Sequence, residues 1–393
     1  MLKNHKFILM FLVISLLACN QKQTPKFQLP SDVDRLMNFA MSQYAEAVQT
    51  LTDTTRAPIH GNADGTWIQK GTSDWVSGFF AGTLWYFYEY TNDPFWKKQA
   101  CRWNAALEKE KFNTGTHDLG FMLYNSFGNG YRLTKDEKYK EILLQGAESL
   151  ITRFNPNVGT IKSWNSEPDN HLTIIDNMMN LEYLLWASKV SGDSKYRDIA
   201  IRHADVTLKN HFRADGSSHH VLNYDAQTGE VKEKKTRQGY SDESSWARGQ
   251  AWGGYGFTMM YRETGDLRYL EIAQKTFNRF IERLPHDMVP YWDFDAPKIP
   301  SEPKESSAAA IAASALLELS TYVSDLDKKN RYYQTALDLL EVLSTNHYLA
   351  KAGKYQCILL HSNGSVPAGT DVDVNVTYAD YYYVEALMRL KKL

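Results

Sequence analysis

Two aspartates lie at or near the starts of predicted helices, where a carboxyl group could do chemistry. Asp118 lies within 117–121, and Asp176 lies within 174–180. An aspartate at such a position most often only caps its helix. Asp176 fits that interpretation poorly, because apolar residues on both sides indicate a partly buried carboxyl group. Burial raises the pKa of a carboxyl group and keeps its proton bound at neutral pH, as a general acid requires.

A third stretch combines cations, amides and indole rings. It contains Arg237 and Gln238, followed by the segment 246–256, which includes Arg248 and Trp252. Arg248 and Trp252 are four residues apart and therefore share one face of a helix. An arginine can bind both oxygens of a carboxylate through its guanidinium group, and an indole beside it can stack against a sugar ring. A buried tryptophan alone would be unremarkable, whereas a buried arginine without a function is rarer.

The standard signatures of other catalytic classes are absent. The sequence contains no G-x-S-x-G elbow, no phosphate-binding loop, no dinucleotide fingerprint, no H-E-x-x-H and no paired C-x-x-C. His219 and His220 have no second pair of ligands at a usable spacing, and Asp371 with Asp373 lacks the full calcium-loop pattern. We therefore expect neither a metal nor a cofactor. The segment around Asp371 is expected to be a solvated loop.

The composition excludes some partners and favours others. The 393 residues include 44 Lys+Arg and 46 Asp+Glu, for a net charge of −2. This balance provides no basic surface for a nucleic-acid backbone. The 10 Trp and 24 Tyr are more than a core of this size needs. Some of these rings are expected to form stacking surfaces for a ligand, and most are expected to fill the core.

The N-terminus has the features of an export signal. Lys3 and Lys6 precede an apolar run over 7–18 that is too short to span a membrane. The run ends in Leu-Leu-Ala before Cys19, which resembles a bacterial lipobox. The interpretation is a signal peptide over 1–18, a lipid-anchored linker over 19–31, and an exported lipoprotein of the periplasm or outer membrane. An ordinary signal peptide with an incidental cysteine is the alternative.

Cys101 and Cys357 are expected to be buried thiols, or to form at most one disulfide bridge.

Helical periodicity continues almost without interruption after this linker. Ser31 is the predicted cap of a helix that runs to Leu51. Eleven more helices are predicted at about 75–91, 94–109, 119–133, 137–153, 174–190, 194–212, 245–263, 267–284, 305–323, 330–346 and 378–392. Four turns share one pattern, a capping aspartate followed three residues later by an aromatic residue, and they start at residues 91, 134, 191 and 264. Each of these turns predicts a tight helical hairpin.

Short and long connections alternate between the predicted helices. Six hairpins of this kind predict a single all-α domain over 32–393, an (α/α)6 barrel with its long loops on one face. An open helical solenoid is the alternative for the same pattern. Long loops on a rigid scaffold commonly carry function, and the candidate residues above lie in or beside them.

At these residues the sequence resembles the unsaturated glucuronyl hydrolases, glycoside hydrolases that remove 4,5-unsaturated uronic acids left by polysaccharide lyases. The resemblance covers nearly all of the chain after the signal peptide. Its carriers are Trp75 with Gly78, Phe79 and Gly82, and the segments 117–121, 176–180, 246–252 and 306–314. The family fold is the (α/α)6 barrel, in agreement with the hairpin count.

The resemblance implies a role for each matching position. Asp176 matches the acid/base that protonates C4 of the C4=C5 double bond and helps water add at C5, and Asp118 matches a second essential acid. Arg248 matches the group near the uronate carboxylate. Further matches to substrate-binding positions are His117, His220 and Gln238, with either His219 or His220 as the site histidine, and the ring-stacking residues Trp75, Trp164 and Trp252. The implied substrates are chondroitin, hyaluronan or heparin oligosaccharides.

Arg237 departs from the family pattern, in which some members have histidine. A cation there predicts a preference for sulfated disaccharides.

Two other functions remain open. An unsaturated rhamnogalacturonyl hydrolase would share the barrel and an essential aspartate but is expected to lack the 246–252 segment. A lipid-anchored, non-catalytic glycan-binding protein would use the same aromatic loops but has no need of Asp176.

Overall fold

The computed structural model describes residues 32–62 and 64–393. The predicted signal peptide, Cys19, the linker and the predicted cap Ser31 lie outside the described residues. Within them, no helix combines the length and the hydropathy that a membrane crossing requires. Cys357 is buried, Cys101 is partly buried, and neither forms a disulfide.

The described residues form twelve α-helices, a π-helix and two 3-10 helices, together with seven short strands. The α-helices are α1 Val33–Thr50, α2 Phe79–Thr91, α3 Pro94–Leu107, α4 Asn129–Thr134, α5 Glu137–Ile151, α6 Leu181–Ser191, α7 Ser194–Asn210, α8 Ala247–Thr264, α9 Leu267–Glu282, α10 Ser306–Tyr322, α11 Leu326–Leu343 and α12 Thr377–Lys392. The π-helix is Gly120–Gly128, and the 3-10 helices are Glu108–Phe112 and Ile175–Asn180.

The strands lie in three antiparallel sheets within the long connections. They are β1 Arg56–Gly61 with β2 Trp67–Gly71, β3 Phe154–Asn155 with β4 Thr160–Ile161, and β5 Asn170–Ile174, β6 Val221–Asp225 and β7 Val231–Lys235 in that order. None of these strands was predicted from the sequence. All are short, and every residue of β7 is exposed, so no apolar alternation marks it as a strand.

The inner helices close into a ring. In this ring α2 contacts the π-helix. The π-helix contacts α6 and the 3-10 helix Ile175–Asn180, and both of these contact α8. The ring continues through α10 to α12, which returns to α2. The helices α1, α3, α5, α7, α9 and α11 pack outside it. The contact between the first and last inner helices confirms the (α/α)6 barrel and excludes the open solenoid.

The four repeated turns have the predicted caps. The side chains of Asp93, Asp136, Asp193 and Asp266 each accept a hydrogen bond from the backbone N–H two residues later. The aromatic residues that follow in these turns pack against the common core. Each of these turns joins an inner helix to the outer helix that follows it, so the other end of the barrel receives the long connections.

The inner helices differ from the prediction at their starts. The helix predicted from residue 75 begins at Phe79, because Asp74 Oδ1 accepts from Val76 N at 3.0 Å and forms a turn. The predicted helix 119–133 is a π-helix followed by α4, and 174–190 begins as a 3-10 helix. Irregular helices often mark functional positions, because they leave backbone groups for other partners.

An ion-pair network fills the opposite end of the barrel. Arg262 and Arg389 both bind Glu318, with N–O distances of 2.9 and 2.6 Å. Tyr255 and Ser314 donate hydrogen bonds to Glu385 on α12. These partners join α8, α10 and α12 at the end away from the long loops.

Candidate active site

The register of one small sheet places Asp176 beside His220. In the antiparallel pair β5–β6, Ile174 lies opposite Val221, and Ile175 N donates to His220 O at 3.0 Å. Asp176 follows the end of β5, and His220 precedes the start of β6. Their side chains approach with His220 Nε2 at 3.8 Å from Asp176 Oδ2. His219 instead turns towards Arg213, so His220 is the histidine that faces the carboxyl group.

The hydrogen bonds of His220 determine which ring nitrogen carries its proton. Its Nδ1 accepts from the backbone N–H groups of Arg237 and Gln238, at 3.2 and 3.3 Å. Burial, with a contribution from Arg248, lowers the pKa of His220 to about 3, so the ring is neutral. A neutral imidazole that accepts at Nδ1 carries its proton on Nε2. That N–H is directed towards Asp176 and is available to a substrate hydroxyl or a water.

Asp176 has the protonation behaviour of a general acid. Its side chain is buried, and Oδ2 has no hydrogen-bond partner among the described residues. Burial raises its pKa to about 7, Asp118 adds to the rise, and Arg248 and Trp252 oppose it. A large fraction of the protein therefore carries a proton on this group at neutral pH.

A side-chain amide holds Asp118 next to the 3-10 helix that carries Asp176. Asn180 Oδ1 accepts from Gly120 N at 2.8 Å and from Phe121 N at 3.3 Å, at the start of the π-helix. A side chain on Gly120 would collide with Asn180, since its Cβ would lie 2.5 Å from Oδ1. The two aspartate-bearing turns are therefore bound directly to each other.

Asp118 also holds a proton near neutral pH. Burial raises its pKa to about 7, although a hydrogen bond from Thr116 Oγ1 at 2.9 Å favours the ionised form. His117 Nε2 lies 3.3 Å from Asp118 Oδ1. Burial lowers the pKa of His117 to about 3, so this contact is not an ion pair at neutral pH. Two carboxyl groups of raised pKa thus lie near one another at one end of the ring.

A cavity of about 620 Å³ with aromatic side chains in its lining lies at this end of the ring. Its lining includes the predicted residues Trp75, Trp164, Arg237 and Gln238. Asp118, Asp176 and His220 are not themselves lining residues. Trp164 meets His220 edge-on at 5.9 Å between ring centroids, and Gln238 N binds the same imidazole. The cavity wall therefore contacts the histidine that faces Asp176.

Arg248 has a different position from the one the sequence suggested. Its side chain is 1% exposed. Nη1 donates to Glu305 and to Asn363 O, and Nη2 donates to Gly364 O. Both ends of the predicted carboxylate fork are thus occupied by protein acceptors. The guanidinium lies over the Trp246 ring at 4.4 Å, so Trp246 is the indole beside it, in place of Trp252.

Trp252 also differs from its expected role as a ring-stacking wall. It is fully buried, with its ring between Phe121 and Tyr382 at centroid distances of 5.2 and 5.3 Å. A sugar cannot reach either face. The side chain instead acts on Asp176 from the core and helps to lower its pKa.

Several residues at the site were not predicted. Tyr378 lines the cavity, lies 5.0 Å from Trp75 between ring centroids, and donates to Asn363 O at 3.0 Å. Asp74 lines the same cavity and raises the pKa of Asp118. The signal that could have found Tyr378 is positional. It lies at the start of an inner helix, as Asp118, Asp176 and Arg248 do.

Among the described residues, no cluster of His, Cys, Asp or Glu side chains is arranged to hold a metal ion. Asp371 and Asp373, considered for calcium, lie next to histidines instead. Asp371 is 3.0 Å from His60, and Asp373 is 2.7 Å from His361.

Known proteins are similar to this chain in sequence and in fold. Residues 47–390 match the family described as glycosyl hydrolase family 88. An unsaturated glucuronyl hydrolase of Formosa agariphila is 45% identical over 330 residues, covering 82% of this chain and 81% of that protein. An unsaturated chondroitin disaccharide hydrolase of Streptococcus agalactiae is 35% identical over 331 residues, covering 81% of this chain and 82% of that protein. The crystal structure of an unsaturated glucuronyl hydrolase specific for heparin is 44% identical, with a TM-score of 0.89 over 92% of this chain and 98% of the other.

The raised pKa of Asp176 predicts how a substitution changes stability with pH. A pKa of about 7 in the folded state, against about 3.9 when unfolded, stabilises the fold below pH ~4, and this contribution is lost as the pH rises through ~7. Asp176→Asn keeps the shape of the protonated acid without titrating. We expect it to unfold at least ~2 °C above the wild type at pH 8, with little difference at pH 4.5.

Differential scanning fluorimetry at the two pH values measures this difference. The exposed Asp198→Asn is the control and is expected to show no such change between them. A shift in unfolding temperature that is equal at both pH values would contradict the raised pKa of Asp176.

Proposed function

The chain belongs to glycosyl hydrolase family 88, and from this premise we propose that it removes the 4,5-unsaturated uronic acid from lyase-generated glycosaminoglycan oligosaccharides. The observation that carries the proposal is the buried Asp176 carboxyl, of pKa about 7, that faces the neutral His220 at 3.8 Å. Addition of water across a double bond needs an acid that keeps its proton at neutral pH, and Asp176 is such a group.

The reaction is a hydration followed by loss of the glycosidic bond. Asp176 gives its proton to C4 of the C4=C5 bond, and a water adds at C5. The carboxylate takes a proton from that water and regains its starting state. The resulting hemiketal rearranges, the ring opens and the glycosidic bond breaks. This route differs from displacement at the anomeric carbon, which uses two carboxylates at a defined separation.

The neighbouring groups have complementary roles in this proposal. His220 donates its Nε2 proton to a substrate hydroxyl or to the attacking water, which fixes their orientation. Asp118 positions the substrate and raises the pKa of Asp176. Trp75 and Trp164 provide ring surfaces in the cavity, and Gln238 also lines it. Water exclusion by these rings strengthens each polar interaction inside.

The two other functions considered above lack this support. A glycan-binding protein would use the aromatic cavity, but it would not need a buried carboxyl group of raised pKa. A rhamnogalacturonyl hydrolase would share the barrel. The relatives named above are a glucuronyl hydrolase, a chondroitin disaccharide hydrolase and a heparin-specific enzyme, which favours glycosaminoglycan fragments for this chain.

The test is loss of the ultraviolet absorbance of the conjugated double bond. The chain without residues 1–18 is incubated with unsaturated chondroitin, hyaluronan and heparin disaccharides, with unsaturated pectin fragments in parallel. We expect turnover of at least one glycosaminoglycan disaccharide, with kcat/KM falling as the pH rises through ~7 because Asp176 loses its proton.

Asp176→Asn is expected to remove this activity while the protein still folds, and Asp198→Asn is expected to retain it. No turnover of any glycosaminoglycan disaccharide would reject the proposed substrate class. Retained activity in Asp176→Asn would place the acid elsewhere.

We further propose that Arg237 favours sulfated substrates. Its guanidinium lies 5.1 Å from the centroid of the Trp164 ring at the cavity. No carboxylate among the described residues pairs with it, whereas Lys235 nearby pairs with Glu233 at 2.7 Å. An exposed cation at this edge is free to meet a sulfate.

Arg237→Ala is expected to reduce the ratio of kcat/KM for sulfated over unsulfated disaccharides. An exposed charge pair contributes up to ~1 kcal/mol, which corresponds to a change of about 2- to 5-fold. Lys235→Ala is the control and should leave the ratio unchanged. A ratio in Arg237→Ala equal to the wild-type ratio would contradict the role of Arg237.

The N-terminal sequence supports one more proposal, that the protein is an exported lipoprotein of the periplasm or outer membrane. The apolar run over 7–18 and the Leu-Leu-Ala-Cys sequence ending at Cys19 carry it. Acylation of Cys19, together with the polar linker to residue 31, would anchor the domain near the membrane surface.

Cys19→Ser is expected to abolish incorporation of labelled palmitate in a bacterial host and to move the protein to the soluble fraction. Cys101→Ser keeps the lipobox and should stay labelled. Labelled Cys19→Ser protein would overturn the assignment.

A further inference from the structure

Glu305 is a buried carboxylate at the start of α10, next to the site but outside the cavity lining. It is 0% exposed. Oε2 receives Arg248 Nη1 and Asn363 Nδ2, both at 3.2 Å. Oε1 receives the hydroxyl of Ser307 and, at 3.4 Å, the backbone N–H of Asn363. Burial raises the pKa of Glu305, and these four donors favour its ionised form.

The same contacts determine the position of one cavity wall. Arg248 donates to Asn363 O at 2.6 Å and to Gly364 O at 2.8 Å, and Tyr378 donates to Asn363 O. Gln238 Nε2 donates to Gly364 O at 2.9 Å. Gly364 and the residue after it form part of the cavity lining. Glu305 thus connects α10 to the loop at 363–364 and to Arg248, which binds the same loop.

Glu305 is also the only carboxylate that pairs with Arg248 among the described residues. The charge of Arg248 lowers the pKa of both Asp176 and His220. The groups that face Asp176 from the surrounding elements are Asp118 before the π-helix, His220 before β6, and Arg248 and Trp252 on α8. The electrostatic balance at Asp176 therefore depends on whether Arg248 is compensated.

We propose that Glu305 is a positioning residue for the reaction, which holds the Asn363–Gly364 wall of the cavity and compensates the Arg248 charge beside Asp176. It does not touch the substrate. This role rests on the proposed function, because it acts through the acid that the function requires. A buried ion pair often adds little net stability, so stability alone does not account for this pair.

Glu305→Gln and Glu305→Asp separate the two parts of this role. Glutamine preserves size and removes the charge, so Arg248 is left uncompensated and the pKa of Asp176 falls. We expect the basic limb of the pH profile to move at least ~0.5 pH unit lower and kcat/KM to fall about 10-fold or more. Aspartate keeps the charge but is one methylene shorter. It should leave the limb at the wild-type pH while KM rises, because the loop is less well held.

Glu318→Gln is the matched control. Glu318 is a partly buried glutamate, with a side chain 11% exposed, that pairs with Arg262 and Arg389 at the opposite end of the barrel. Its substitution is expected to lower the unfolding temperature without moving the basic limb or KM. If Glu305→Gln folds and keeps both the limb and KM of the wild type, Glu305 has no positioning role. The same conclusion follows if Glu318→Gln moves the limb equally.

A second measurement keeps this test independent of the proposed function. The pH at which Asp176 titrates is read from the unfolding temperatures of proteins with and without Asp176→Asn. The comparison is made once in the wild-type background and once in the background of the Glu305→Gln substitution. We expect that pH to be lower after Glu305→Gln. An unchanged value overturns the inference, whereas a lower value in a protein that turns over no unsaturated disaccharide supports the compensation of Arg248 by Glu305 and rejects the proposed function.

Discussion

Removal of a carboxyl group from water is the constraint on which this site depends. Asp176 reaches a pKa of about 7 mainly because it is buried. An isolated charge at that depth would be costly, so the proton is retained and the group becomes an acid at neutral pH. The environment must therefore stay apolar while it admits a sugar. Phe121 and Trp252 pack against each other in the core, and the rings of Trp75 and Trp164 line the cavity.

The barrel satisfies this constraint by bringing the starts of its inner helices to one end. Asp118 precedes the π-helix, Asp176 lies in the 3-10 helix before α6, and Arg248 lies in the first turn of α8. Short, capped turns at the opposite end leave the long connections to surround the site. Irregular helices replace ordinary first turns where the aspartates lie, and Asn180 binds the two starts together. Residues far apart in the chain thereby meet without a continuous motif.

Electrostatic compensation is divided between the two ends of the ring. At the far end, arginines and glutamates pair in a network that joins α8, α10 and α12. At the site, Arg248 pairs with Glu305 and with loop carbonyls, so its charge reaches Asp176 and His220 only in part. His220 remains neutral, because burial disfavours its charged form and its Nδ1 already accepts two backbone N–H groups. Asp176 is consequently the titrating partner of the pair.

The sequence by itself determined the helical architecture of this protein. The 3.6-residue periodicity and the four repeated capping turns are local signals, because a helix buries one face and ends where its backbone needs a cap. They were sufficient to predict twelve helices arranged as hairpins, whereas the contact between α2 and α12 was needed to exclude an open solenoid. The apolar residues around Asp176 were sufficient to predict a buried acid. The family resemblance supplied the roles expected of the other residues.

Only the tertiary structure decided which groups meet. The register of β5 and β6 selected His220 over His219, and nothing local distinguishes two adjacent histidines. Arg248 and Trp252 lie on one helix as predicted, yet the partner loops direct the guanidinium to Glu305, Asn363 and Gly364 and bury the indole. Glu305 gained its role from contacts with a different helix and a distant loop. Hydrogen bonds and ion pairs between distant segments leave no periodic trace in the sequence, so such contacts appear only when the chain is folded.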